Sequence, residues 1–120
     1  MKALFDTNIL IDFLNGLPAA KKELDLYETK VISIVTWMEV MSGGEPAHEA
    51  ATRGFLNGFA IISVTEAIAE RAVKLRRENR IKLPDAIILA TSLENGLMLV
   101  SRNAKDFGTN LPGVRNPYRV

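Results

Sequence analysis

The sequence predicts an α/β fold in which a central parallel sheet of four to five strands carries helices on both faces. Two observations predict it. Short apolar runs at 2–5, 31–34, 60–62 and 97–100 alternate with longer stretches whose apolar residues recur at helical spacing. Strands that alternate with helices form parallel sheets, because each helix returns the chain to the starting edge. The second observation is that hydrophobic stretches repeatedly run into acids: Phe5-Asp6, Met38-Glu39, Pro84-Asp85 and, after Leu99-Val100-Ser101-Arg102-Asn103, Asp106. In open α/β sheets the functional crevice lies beyond the carboxyl ends of the strands, and Asp6 and Asn103 follow strands one and four at that edge.

The elements follow in order. Residues 2–5 read as a buried strand closing at Asp6, and 7–14 as a helix ending at Asn15-Gly16. Pro18 suits the first turn of a helix over 18–28, with Leu17, Leu24 and Leu26 among its apolar positions. Residues 31–34 are the second strand, and a helix over 35–42 is stopped by Gly43-Gly44. Pro46 starts a helix reaching Asn57-Gly58, and 60–62 is the third strand. Thr65 is placed to cap a helix running to Asn79, with Glu66 favourable at its positive end and Ile68, Ala72 and Leu75 along one stripe. Pro84 opens a helix over 84–95, apolar on nearly all faces and therefore a central packing element. Gly96 stops it, 97–100 is the fourth strand, and a weaker fifth lies near 114–118.

The 120 residues fit one domain, 1–120, with one core. Hydrophobic residues make up 48% and charged residues 24%, which argues for a folded globular protein rather than a disordered one. With no cysteine and one histidine, disulfides, thiolate zinc sites, a cysteine nucleophile and a multi-histidine metal site are excluded within the chain. Residues 1–14 do not read as a signal peptide, and no run approaches the roughly 20 apolar residues of a membrane helix. The expected location is the cytoplasm, with no membrane partner.

Carboxylates beside apolar surface are costly unless something offsets their desolvation, and several in one pocket repel one another. A divalent cation resolves both problems, so the acids suggest a metal site. Magnesium or manganese held by a few carboxylates activates water and neutralises charge on phosphate. Asn8, Thr7 and Ser101 are placed to hydrogen-bond ligand oxygens around it. Each acid also has a plainer reading. Asp6 suits a helix cap, Glu39 a solvated helix face, Asp85 a routine helix start after Pro84, and Asp106 an ordinary loop.

Asp6-Thr7-Asn8-Ile9-Leu10, Glu39 after Ser-Ile-Val-Thr, Leu83-Pro84-Asp85-Ala86 and Leu99 to Asn103 through Asp106-Phe107 together resemble PIN-domain proteins, in particular the VapC-type ribonuclease toxins of toxin–antitoxin pairs. The resemblance spans essentially the whole chain, with all four motifs in register. It implies a three-layer α/β/α PIN-like domain and Mg2+-dependent RNA cleavage, with Mn2+ as the other candidate metal. It carries over Asp6, Glu39 and Asp85 as catalytic acids, with Asp6 and Asp85 on the metal. Many relatives have an acid where this chain has Asn103, and others use the acid three residues on. Asp106 is therefore the expected fourth acid and Asn103 a neutral contributor. Ser101 keeps the hydroxyl of a position usually held by threonine. A small VapB-type antitoxin, a homodimer, a hetero-oligomer with the antitoxin, and DNA contact only through the antitoxin are implied as well.

Six cations, Arg71, Lys74, Arg76, Arg77, Arg80 and Lys82, crowd residues 71–82, with Glu78 as the one acid among them. They are candidates to track an RNA backbone, Arg76 and Arg77 foremost, although cations also complement a helix C-terminus. Arg102, beside the expected pocket, ranks first for phosphate contact, ahead of Arg115 and Arg119. His48 reads as a surface residue, Trp37 as packing, and Asp12 as solvated or paired.

The competing function is a non-catalytic PIN-like RNA-binding module, favoured by Asn103 and disfavoured by four retained acids. A phosphoacceptor domain of receiver or phosphatase type shares an aspartate after strand one. It is set aside because Asn8 stands where a phosphatase needs an acid, and Ile61-Ile62-Ser63 where a receiver needs an aspartate.

Overall fold

The structure is a computed structural model that describes residues 1–103, 107 and 113–119. The expected parallel sheet is present. Its five strands are β1 (Lys2–Phe5), β2 (Thr29–Ser33), β3 (Ala60–Ile62), β4 (Met98–Val100) and β5 (Val114–Arg115), in the order β3-β2-β1-β4-β5, all parallel. The helices are α1 (Thr7–Leu14), α2 (Pro18–Asp25), α3 (Ile34–Gly43), α4 (Glu49–Leu56), α5 (Glu66–Asn79) and α6 (Leu83–Glu94).

The layers follow from strand alternation. Successive side chains of β1 point to opposite faces. Ala3 and Phe5 join Ile9, Leu10, Tyr27, Ile32, Leu56 and Phe59 on one side. Leu4 joins Val31, Ile68, Ala72, Ile88, Leu89 and Leu99 on the other. The sheet is thus apolar on both faces, as a parallel sheet between helices must be. Phe5 meets the edges of Tyr27 and Phe59, with centroids 5.2 and 6.4 Å away. The α5 stripe of Ile68 and Ala72 is buried as expected, and Thr65 Oγ1 caps α5 by accepting from Ile68 N–H at 3.2 Å.

Three expectations are corrected. α2 ends at Asp25 rather than 28, because Leu26 and Tyr27 N–H turn back tightly to Glu23 and Leu24 carbonyls. Leu26 is consequently exposed, and Tyr27 enters the core in its place. β2 begins at Thr29, two residues early, since its pairing with β1 starts at Lys2 opposite Thr29. The stretch after Pro46 divides into one 3₁₀ turn, Pro46–His48, and α4. α5 ends on Arg80 at φ 55°, a left-handed position where glycine is usual and other residues carry roughly 1–2 kcal/mol of strain.

Leu4, fully buried on the central strand, reports on this core. Leu4→Ala is expected to lower the unfolding free energy by about 2–5 kcal/mol, read from urea denaturation.

Candidate active site

The register that pairs Phe5 with Val100 brings the residues after β1 and β4 side by side. Asp6 N–H donates to Val100 O at 2.9 Å, so Asp6 continues the strand before α1 begins. Its carboxylate is buried, and both oxygens accept hydrogen bonds. Oδ1 accepts from Thr7 N–H at 2.7 Å, which makes Asp6 the cap of α1. Oδ2 accepts from the Ser101 hydroxyl at 2.8 Å and from Asn8 Nδ2 at 3.2 Å. Ser101 Oγ in turn accepts from Asn8 Nδ2 at 3.2 Å and from Asn103 N–H at 3.1 Å. Asn8 Oδ1 accepts from Arg102 N–H at 3.3 Å. The first turn of α1 and the loop after β4 therefore form one hydrogen-bonded unit around Asp6.

The other acids arrive from helices. Glu39 is on α3, and its Oε1 lies 2.6 Å from Thr7 Oγ1, which is also 3.1 Å from Thr36 Oγ1. A hydroxyl has one proton, so Thr7 donates to the carboxylate and accepts from Thr36. That contact settles which way Glu39 turns. Asp85 is in the first turn of α6, where helix N–H groups favour an anion. Asp6, Thr7, Asn8, Glu39, Asp85 and Asn103 line one open cleft of about 370 Å³ at the carboxyl edge of the sheet. Asp106 lies outside the described residues.

Burial raises the Asp6 carboxyl to about 6, and the charges of Asp85 and Glu39 push in the same direction. The hydrogen bonds from Ser101 and Thr7 N–H oppose the rise without cancelling it. Like charges converge on one buried carboxylate, as the sequence pattern implies. The PIN domain family profile matches residues 3–108.

The chain belongs to the PIN domain family.

It is 32% identical over 112 residues to "Ribonuclease VapC10" of Mycobacterium tuberculosis, covering 87% of this chain and 84% of the relative. Among solved structures it is similar to a chain of a toxin–antitoxin complex from Klebsiella pneumoniae, with 51% identity, a TM-score of 0.92 and coverage of 98% and 99% of the two chains. It also shares the fold of a chain in the Rickettsia felis VapBC2 complex with promoter DNA, at 23% identity and a TM-score of 0.79, over 95% and 96%.

Sequence reasoning missed three lining residues of the PIN cleft, Ile11, Lys82 and Phe107, and the buried Thr36 that contacts Thr7. Lys82 was counted in the basic cluster. Its place at the cap of α6, three residues before Asp85, was the available signal. The structure divides that cluster. Arg71 pairs with Glu94 at 3.2 Å, and Arg76 Nη1 donates to Ile81 O at 3.0 Å. Arg76, Arg77 and Arg80 line a surface trough with Val73, Ile81 and Leu83, while Lys82 lines the cleft with the acids. Arg102 reaches the cleft, but its guanidinium is bound to Asp12. Arg115 is likewise held by Glu23.

The raised Asp6 carboxyl has a stability consequence. The folded protein holds this proton to about pH 6 and the unfolded chain only to 3.8. The folded state thus binds more protons between those values, and the Asp6 contribution falls as pH rises through them. Asp6→Asn removes that titration. In metal-free denaturation series, its stability relative to the parent is expected to improve by roughly 3 kcal/mol from pH 3.5 to pH 7. A difference that stays flat across that range refutes the assignment.

Proposed function

We propose that this PIN domain is a metal-dependent endoribonuclease toxin that hydrolyses RNA phosphodiester bonds and is inhibited by a cognate VapB-type antitoxin. The observation that carries the reading is the convergence of Asp6, Glu39 and Asp85, from three separate elements, on one cleft at the carboxyl edge of the sheet. The resemblance to a ribonuclease and to a chain of a toxin–antitoxin complex supports the activity and the partner.

The donor set fits a hard divalent cation. It is made of carboxylate, amide and hydroxyl oxygens, the choice of magnesium or manganese rather than zinc. Among the described residues no three acids or histidines close into a ready-made cage. Magnesium is commonly held directly by only one or two carboxylates, and here Asp6 and Asp85 would be those ligands. When bound, Mg2+ or Mn2+ supplies an activated water and offsets charge developing on the phosphate. The chain does the rest. Ser101, Asn8 and Thr7 N–H aim the Asp6 oxygens and Thr7 aims Glu39, while Asp106, outside the described residues, is the expected fourth acid and Asn103 a neutral contributor. Arg102 lies at the rim for phosphate contact. Arg76 and Arg77 offer the trough beyond Lys82 to the RNA backbone.

The toxin is expected to act in the cytoplasm as a homodimer, to form a hetero-oligomer with antitoxin, and to meet DNA only through it. Among the described residues no helix is long and apolar enough to cross a membrane. The alternative, a non-catalytic RNA-binding module, draws on Asn103 in the cleft, one acid fewer than many relatives carry.

Asp6→Asn is expected to abolish chelator-sensitive cleavage of total cellular RNA while leaving the circular dichroism spectrum unchanged. Binding of RNA without any cleavage by the parent protein would favour the module. For the fourth acid, Asp106→Asn should reduce the cleavage rate more than Asn103→Ala, and the reverse ranking would assign that place to Asn103.

A further inference from the structure

Asp12 is buried on α1 yet does not line the cleft. Its Oδ2 accepts from Arg102 Nε at 2.6 Å and from the Tyr118 hydroxyl at 2.8 Å, and its Oδ1 accepts from Arg102 Nη2 at 3.1 Å. This is the two-pronged geometry in which a carboxylate fixes the plane of a guanidinium as well as its position. Arg102 follows Ser101 directly, and its own N–H is bonded to Asn8. It is therefore held at backbone and head group by two residues of the same helix.

The arrangement is asymmetric. The Asp12 side chain is 10% exposed and that of Arg102 29%. The acid is an internal anchor, and the arginine reaches the cleft wall. A guanidinium has five N–H donors, so two bonds to Asp12 leave three. Tyr118 comes from the C-terminal segment, after β5, whose Arg115 is held by Glu23 at 2.8 and 3.0 Å. That segment thus reaches back across the sheet edge to brace the partner of a cleft residue.

We propose that Asp12 and Tyr118 are positioning residues, which hold the Arg102 guanidinium preorganised at the cleft for the substrate phosphate and make the C-terminal segment part of the active site. The proposal rests on the nuclease reading. An arginine left to roam would meet the phosphate only after ordering its side chain, whereas a held one is ready when RNA arrives.

The test combines epistasis with a binding readout. Asp12→Asn is expected to lower kcat/KM for RNA by about 10- to 100-fold, and Tyr118→Phe, which keeps the Asp12–Arg102 pair, by a smaller factor. In the Arg102→Ala background, Asp12→Asn should cause no further loss. Arg102→Lys should not restore activity, since an ammonium cannot make the fork. Asp12→Asn should weaken binding of a cleavage-resistant phosphorothioate oligonucleotide as much as Arg102→Ala does. The exchange-protected Nε–H resonance of Arg102 should disappear in Asp12→Asn. If the parent cleaves RNA and Asp12→Asn cleaves equally well, the proposal is overturned. It is equally overturned if Asp12→Asn lowers activity just as much without Arg102, since Asp12 then only stabilises α1. Tyr118→Phe decides the matter if Asp12→Asn fails to fold, because full activity there also overturns it. A parent that neither cleaves RNA nor binds the oligonucleotide overturns the nuclease reading and this proposal with it.

Discussion

The hydrogen bond from Ser101 to Asp6 joins the ends of β1 and β4, and most of the cleft is built outward from it. The parallel register sets the two residues side by side, one step beyond the paired Phe5 and Val100. Ser101 uses its whole bonding capacity locally, and Asp6 most of its own. Ser101 donates to Asp6 and accepts from Asn8 and Asn103, while Asp6 accepts from Thr7, Asn8 and Ser101. Donors satisfy this buried carboxylate, but two more acids face it, and its proton is held to about pH 6. The constraint is thus a balance: enough donors to keep the acid buried, and too few to make it indifferent to a cation.

A second set of contacts secures the frame from outside. Glu23 on α2 accepts from Arg115 and from Tyr27, and Asp12 on α1 accepts from Arg102 and Tyr118. The arginine holds the Glu23 carboxyl below its ordinary range, and burial together with Glu23 pushes the Tyr27 phenol up to about 12. Each network has the same composition: a buried acid from a helix, a bidentate arginine from the β4–β5 side and a tyrosine. Removing one partner of such a pair strands the other, so these contacts fix where the chain after β4 lies more than they add net stability. Short β5, two residues long, needs such help to stay in register.

Much of this was legible in the sequence, for physical reasons that differ by element. β1, α1, β3 and α5 were read to within a residue, because an apolar run ended at a capping side chain or at glycine. Asp6 was legible because a strand end and a helix cap coincide there. Glu39 was not: periodicity places it on a helix but leaves its direction open, and the Thr7 contact that decides it spans 32 residues. The pairing of Asp12 with Arg102 spans 90, and no local pattern announces a partner at that distance. Lys82 was seen as charge rather than as place, since the trough and the cleft share the segment between α5 and α6 and only the fold shows which residue turns into which. Leu26 and Tyr27 exchanged roles because a tight turn, not helical spacing, sets their directions.

The distribution of charge shows why a net charge of +1 misleads. Asp6, Glu39 and Asp85 are gathered in one cleft with Lys82 and Arg102, while Arg76, Arg77 and Arg80 line a separate trough. Under the nuclease reading, a polyanion would be attracted along the arginine trough and repelled at the metal-free carboxylates. Under the nuclease reading a cation reverses the sign of the cleft, so that the same strand is drawn across both. Metal occupancy would then govern RNA entry into the cleft as well as the chemistry. The flanking arginines, whose charge needs no metal, would govern residence outside it. Under that reading binding and cleavage would separate by position. Substitutions around α5 would act on the first, those around Asp6 on the second, and Arg102, anchored through Asp12, on both.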